Sequence, residues 1–285
     1  MNKLVYFLLL LTVFACNPPQ KSHIETFSLV SEVFGNERKI RVYLPAAYDG
    51  KKVFKVLYMN DGQDLFGEEG NEVKNEWRID ENIDSLIKLG SVEPLIVVGI
   101  DHAGKYRGNE YLPWEDIHLN PPIPNPDGEL YPKFLLEEVI PAIESKYQVL
   151  QGSENRGLGG SSYGGLIALY TAFQQPNQFD FLLIESPSLY VHEQQILHLI
   201  DSVNQKWTEN IYVGIGTNEI GIEDCSEQNE INKMAVNDVL RLQQLLEEQA
   251  TDCKQLFVID SCATHSQKAW AKRFPKALQF LLNRK

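Results

Sequence analysis

Five short apolar runs, at 53–59, 94–100, 179–184, 211–215 and 256–259, alternate with segments of helical spacing at 79–89, 133–147, 163–173, 192–203, 230–248 and 267–282. Continuous apolar strands are buried on both faces, and helices between them return the chain so that successive strands run parallel. An α/β fold follows, with a mostly parallel central sheet and helices on both faces. Ahead of it, Phe27, Leu29 and Val33, then Ile40, Val42 and Leu44 at strict period two, flank Gly35-Asn36 and predict an antiparallel N-terminal hairpin. Pro141 falls inside a helical segment and predicts a kink. Residues 101–131 carry five prolines and no clear period, and a loop that long within a compact domain is more often functional than idle. No repeat or shift of composition divides the body, so 25–285 reads as one domain.

With 26 Lys+Arg against 39 Asp+Glu the 285-residue chain carries −13, which argues against nucleic-acid binding and against adhesion to an anionic membrane by charge. The N-terminus offers another attachment. Lys3 precedes an apolar run at 4–15, too short for the roughly 20 residues of a spanning helix, so residues 1–15 read as a signal peptide. The sequence Val13-Phe14-Ala15-Cys16 resembles a bacterial lipobox, which implies cleavage before Cys16 and lipidation of its thiol. The alternative is an ordinary secretory signal with Cys16 near its cleavage site by chance. Residues 16–24, polar and Pro-rich, suit a tether. The expected location is the bacterial cell envelope, lipid-anchored, facing the periplasm or at the outer membrane.

With Cys16 consumed, Cys225, Cys253 and Cys262 remain, an odd number. Cys253 and Cys262 flank the run 256–259 and, if extended, lie roughly 30 Å apart, against the roughly 7 Å that a disulfide permits. Cys225–Cys262 is therefore the expected bridge, with three free thiols as the alternative.

The sequence Gly160-Ser161-Ser162-Tyr163-Gly164 matches G-x-S-x-G between a short strand at 155–160 and the apolar helix that begins beyond it. A serine on such a turn is held exposed in a strained backbone, and small residues two before and two after let strand and helix approach. The helix N-terminus behind it favours developing negative charge. Ser161 has the wrong register. A dinucleotide fingerprint fails, because Gly157-x-Gly159 is followed by Ser162 where a third glycine is needed.

A serine nucleophile needs a base and an orienting acid, in the chain order Ser, acid, His. Of six histidines, only His265 follows the last strand, on a loop that returns to the nucleophile's edge of the sheet; His192 and His198 sit on a helix and read as surface or packing residues. Past the end of the strand at 211–215, Glu219 is the first carboxylate; Glu223 and Asp224 compete with it, and Asp260 is a more distant choice. Neither H-E-x-x-H nor clustered Cys/His spacing occurs, so no metal site is expected.

Six motifs then carry a resemblance: Asp61-Gly62-Gln63-Asp64-Leu65-Phe66, Arg107-x-x-Glu110-Tyr111, Gly160-Ser161-Ser162-Tyr163-Gly164-Gly165-Leu166, Ser186-Pro187-Ser188, Gly216-Thr217-Asn218-Glu219 and His265-x-x-x-x-Trp270. In this order, over nearly all of 25–285, the chain resembles the "Putative esterase" family of α/β-hydrolases. That family takes in esterase D, feruloyl, acetylxylan and enterochelin-type esterases and, as transferases, the mycolyltransferases. The resemblance implies Ser162 as nucleophile, Glu219 as acid where the family often has Asp, and His265 as base. It implies an oxyanion hole of main-chain N–H groups from Tyr163 and Gln63, and no cofactor. Arg107 and Tyr111 are candidate substrate contacts, with an Arg107–Glu110 ion pair as the structural alternative; Trp77 and Trp114 are candidates for the pocket wall or for packing. The expected partner is a small-molecule or oligosaccharide ester, such as a siderophore lactone or an acylated or feruloylated glycan. The other readings are an acyltransferase on the same fold and a non-catalytic binding lipoprotein.

Overall fold

A computed structural model describes residues 21–67, 76–227, 229–250 and 252–282. The expected signal peptide and Cys16 lie outside the described residues. Eight strands form one sheet in the order β1-β2-β4-β3-β5-β6-β7-β8. The hairpin of β1 (His23–Ser31) and β2 (Asn36–Leu44) is antiparallel and turns through Gly35 at φ 63°; β2 also pairs antiparallel with β4 (Leu95–Ile100). From β4 onward every neighbour is parallel, through β3 (Lys55–Asn60), β5 (Arg156–Ser161), β6 (Phe181–Glu185), β7 (Asn210–Gly216) and β8 (Lys254–Asp260). Because β1 begins at His23, the last two residues of the expected tether are paired in the sheet.

Period-two burial divides the core between the two faces. Val56 and Tyr58 of β3 face one apolar layer, Leu57 and Met59 the other, and all four are buried. Helices α5 (Tyr163–Gln174), α6 (Val191–Ser202) and α7 (Glu230–Gln249) cover the first face, and α1 (Ile79–Lys88) and α8 (Gln267–Leu282) the second. Helix α5 is buried from Gly164 to Phe173, which accounts for its nearly uniform apolar sequence. Each fully buried aliphatic side chain stabilises the fold by about 1.5–3 kcal/mol, so these paired layers hold the strand ends rigidly.

One expectation needs correction. Residues 101–131 are not irregular throughout, since Arg107–Tyr111 forms a short helix, α2, that buries Glu110 and Tyr111. Around Pro141, where a kink is expected, α3 (Tyr131–Phe134) passes through a π-helical turn, Leu135–Val139, into α4 (Ile140–Lys146). Pro141 comes directly after that wider turn, which takes up the clash of its ring with the preceding turn and its missing N–H.

Candidate active site

Ser162 stands between β5 and α5 with φ 58° and ψ −128°, a backbone conformation that non-glycine residues rarely adopt and that costs about 1–3 kcal/mol. Its N–H donates to the Glu185 carbonyl at 3.1 Å, and its own carbonyl accepts from Gly165 and Leu166, so both sides of the turn are fixed. The small flanking residues are required. A Cβ on Gly160 would meet the Gly164 carbonyl oxygen at 2.5 Å, and one on Gly164 would meet an Asp61 carboxylate oxygen at 2.7 Å. The Tyr163 N–H, first of the helix, has no intrahelical acceptor.

The neighbouring strand end supplies the facing loop. Buried Asn60 donates from Nδ2 to the Gly164 carbonyl at 2.7 Å and accepts from the Tyr131 hydroxyl at 2.5 Å, tying β3 to the first turn of α5. Asp61 is left-handed (φ 57°, ψ 49°) and opens the 3-10 turn Gly62–Asp64, which closes through Asp64 N–H to the Asp61 carbonyl at 3.0 Å. Gln63 is the second residue of that turn, and its side chain accepts from the His102 N–H at 3.1 Å. Gly62 is needed, since a Cβ there would meet the Gly99 carbonyl carbon at 2.5 Å.

Arg107 does not pair with Glu110. Its Nε and Nη2 reach the two Asp61 oxygens at 2.7 and 2.9 Å, while Glu110 accepts from buried Arg38 at 2.6 Å. Residues three apart on the five-residue α2 diverge because each finds a charge on a strand end. Burial works against the Arg107 charge, but the Asp61 carboxylate holds its guanidinium above the ordinary range. Tyr111 is fully buried, with its hydroxyl accepting from the Asp61 N–H at 3.3 Å, so it supports the loop and is no substrate contact. Burial, then the Asp61 charge, push its phenol well up. Trp77 is core, tilted against Trp270 and edge-on to Phe274; Trp114 is half-buried against Tyr170.

At the other end of the sheet, His265 Nδ1 and Glu219 Oε2 are 2.6 Å apart. Glu219 follows β7 and His265 follows β8, the two strands beyond β6 in the parallel run β5-β6-β7-β8, so both residues lie past the carboxyl edge of the sheet, as Ser162 does after β5. Glu219 Oε1 accepts from the Gly216 N–H at 2.7 Å and from the Ser186 hydroxyl at 3.0 Å. The two loops are zipped together: Thr217 N–H to the Asp260 carbonyl (3.0 Å), Asn218 N–H to the Ala263 carbonyl (3.0 Å), Cys262 N–H to Thr217 Oγ1 (2.8 Å) and His265 N–H to the Glu219 carbonyl (3.3 Å). The Cys225–Cys262 disulfide joins them covalently, and Cys253 is free. The competing acids are placed elsewhere. Glu223 and Asp224 are exposed, Asp224 bonding Ser226, and Asp260 faces Lys272 and Arg273. His192 and His198 are exposed on α6. Among the described residues, no group of three or more His, Cys, Asp or Glu side chains is placed to hold a metal ion.

The sequence profile of the "Putative esterase" family matches residues 31–281. The chain belongs to that family. The protein YbbA of Bacillus subtilis is 26% identical over 257 residues, covering 88% of this chain and 95% of its own. The enterobactin esterase FES from Shigella flexneri superposes with a TM-score of 0.70 at 17% identity, over 94% of this chain and 61% of that one. The ferulic acid esterase AmCE1/Fae1A from Anaeromyces mucronatus gives 0.64 at 21% identity, over 93% of each chain. The protein is thus a carboxylic-ester hydrolase of α/β-hydrolase fold.

Three clusters of this esterase escaped the sequence. Ser186 and Trp270 stand behind the Glu219–His265 pair, and only their place in two motifs hinted at it. Under β7, buried Glu185 is bridged to Arg273 of α8 at 2.6 Å and accepts from the Tyr212 hydroxyl at 3.1 Å. Burial pushes the Glu185 carboxyl up and Arg273 pulls it back. In the long loop, fully buried Asp116 accepts from the Tyr163 hydroxyl at 2.5 Å, and burial followed by this bond pushes that phenol up. Such long-range pairs carry no local sequence signal.

Proposed function

We propose that this esterase is an exported serine hydrolase in which Ser162, His265 and Glu219 act as nucleophile, base and acid. The observation that carries the reading is the strained Ser162 turn on the same sheet edge as a 2.6 Å His265–Glu219 pair. An imidazole that donates from Nδ1 to a carboxylate carries its lone pair on Nε2. His265 Nε2 then takes the Ser162 proton as Oγ attacks the ester carbonyl; the alkoxide of the alcohol leaves with that proton, and an acyl-enzyme remains. Water attacks by the same route and releases the acid. Glu219 holds the tautomer and stabilises the imidazolium. The Tyr163 and Gln63 N–H groups receive the oxyanion, each contributing about 3 kcal/mol. Only main-chain donors suit that role, because Asp61 and Asp64 line the loop, and Arg107 offsets the first of them. Burial and the Asp61 charge push the Asp64 carboxyl up.

Relatives described as a ferulic acid esterase and an enterobactin esterase support, as substrate, a siderophore-type ester or an acylated or feruloylated glycan ester. Arg107, one quarter exposed at the edge of the site, is the proposed substrate contact. The disulfide supports residence outside the cytoplasm, and the lipobox-like Val13-Phe14-Ala15-Cys16 supports a lipid anchor on Cys16 in the cell envelope. The test is Ser162→Ala in the full chain. Hydrolysis of p-nitrophenyl acetate falls by about 10⁴-fold or more, with the thermal midpoint nearly unchanged. Retained turnover in the folded variant would sink the assignment.

A further inference from the structure

We propose that Ser186 is a positioning residue for Glu219, with its hydroxyl aimed by the indole of Trp270; this rests on the role of Glu219 proposed above. Ser186 directly follows β6 in a left-handed conformation, φ 41°, that a serine adopts only when its surroundings impose it. Its N–H donates to the Gly214 carbonyl at 2.7 Å, which fixes the backbone, and the residue is buried. Its Oγ has two partners, Trp270 Nε1 at 3.0 Å and Glu219 Oε1 at 3.0 Å.

The chemistry of those partners fixes the direction of the proton. An indole N–H donates and never accepts. Trp270 therefore occupies a lone pair of Ser186 Oγ, and the hydroxyl proton is left for the carboxylate. Glu219 Oε1 thus receives two donors, Ser186 O–H and Gly216 N–H, from different directions, and the carboxylate cannot turn about its terminal torsion without losing both. Oε2 is then presented to His265 Nδ1. Glutamate has one more rotatable bond than aspartate, so an acid of this length needs such anchoring to hold one geometry. The same indole meets the His265 ring edge to face, with centroids 5.1 Å apart at 83°. One buried side chain, Trp270, thereby holds the base directly and the acid through Ser186.

The test is a set of cycles on the full chain with p-nitrophenyl acetate, using Ser186→Ala, Trp270→Phe and Glu219→Gln singly and Ser186→Ala and Trp270→Phe each combined with Glu219→Gln. Ser186→Ala is expected to lower kcat by about tenfold to a hundredfold, the effect of one hydrogen bond to a charged group, with KM nearly unchanged because Ser186 is sealed from substrate. In the Glu219→Gln background it is expected to do nothing further, since its effect runs through that carboxylate. Trp270→Phe keeps a ring against His265 but frees the Ser186 hydroxyl, and follows the same pattern with a smaller loss. If Ser186→Ala fails to fold, Trp270→Phe decides alone by the same non-additivity. Losses that multiply with Glu219→Gln, or kcat within twofold of the parent in the single variants, overturn the inference while leaving Glu219 as the acid. A Glu219→Gln enzyme with parental kcat overturns the role of Glu219 and this inference with it.

Discussion

Reducing the Cys225–Cys262 disulfide should cost this esterase stability before it costs activity. The bridge closes a loop of 37 residues in sequence separation, and the chain-entropy treatment gives about 4 kcal/mol for a loop of that length. Taking a urea dependence of about 3 kcal/mol per molar for a domain of this size, the unfolding midpoint falls by about 1.3 M. Activity in the absence of urea falls by less than about threefold, because the four hydrogen bonds between the Glu219 and His265 loops, worth about 0.5–1.5 kcal/mol each, persist. The loops are nevertheless the first part to loosen, since they sit beside β8, the edge strand, whose residues are only partly covered. Activity in the reduced enzyme is therefore lost at lower urea than tryptophan fluorescence, whereas in the oxidised enzyme the two midpoints coincide. Thiol titration must show two more thiols after reduction. The free Cys253 does not scramble the bridge, because burial pushes its thiol up to about 12 and leaves little thiolate to attack. An unchanged urea midpoint in enzyme shown to be fully reduced would refute the reasoning.

Gly216→Ala should disable the site without touching the nucleophile, because the new methyl would lie 2.0 Å from the Ala263 carbonyl oxygen and 2.9 Å from Glu219 Oε1. We expect kcat to fall at least about a hundredfold and stability by about 1–3 kcal/mol; parental kcat in the purified variant would show that the two loops are not packed as described. Asp238, buried on α7 with its carboxyl pushed up to about 6 by burial, binds a proton more tightly folded than unfolded. Stability from this group is therefore greatest in acid and falls as pH rises from its unfolded value, near 3.8, to about 6. Asp238→Asn keeps the acceptor for Gln194 Nε2 and should stabilise the enzyme at pH 7 by about 1–2 kcal/mol, with no gain at pH 3.5. Urea titrations at the two pH values check this, and a gain of equal size at both would remove Asp238 as the cause.

The fold was legible because burial on two faces leaves a continuous apolar signal at 53–59 and 94–100, and because the Ser162 turn needs glycines at fixed offsets. Strand length and an odd count of thiols singled out Cys225 and Cys262 as the pair to bridge but left three free thiols open, and the structure shows the bridge. The alternative Arg107–Glu110 pair does not form, because the carboxylate nearest Arg107 in sequence is not its nearest in space. Spacing of three on a helix predicts a pair, but Asp61 on a strand end offers Arg107 a two-point contact, and Arg38 on β2 claims Glu110. Tyr111 failed for a related reason, since an aromatic in a proline-rich stretch reads as a pocket residue until α2 turns it inward. Ser186 carried only its place in a motif; its partners lie 33 and 84 residues away.

The alternate glycines of β7 connect these pieces. Gly214 and Gly216 are two apart and so open the same face of the strand. A Cβ at Gly214 would meet Glu185 Oε2 at 2.5 Å, and one at Gly216 would meet Glu219 Oε1 at 2.9 Å. The Glu185 carboxylate thus takes up the space at Gly214, and the Ala263 carbonyl with the Glu219 carboxylate behind it takes up the space at Gly216. Unpaired, Glu185 would oppose the charge of Glu219 in a poorly solvated place, where a buried carboxylate is costly. Arg273 from α8 meets Glu185 with Nη2 at 2.6 Å and Nε at 3.0 Å and cancels that charge. The strand that reads as Ile-Tyr-Val-Gly-Ile-Gly is therefore shaped by the needs of the acid loop above it, and α8 contributes both the cation that permits two acids and the indole that aims one of them.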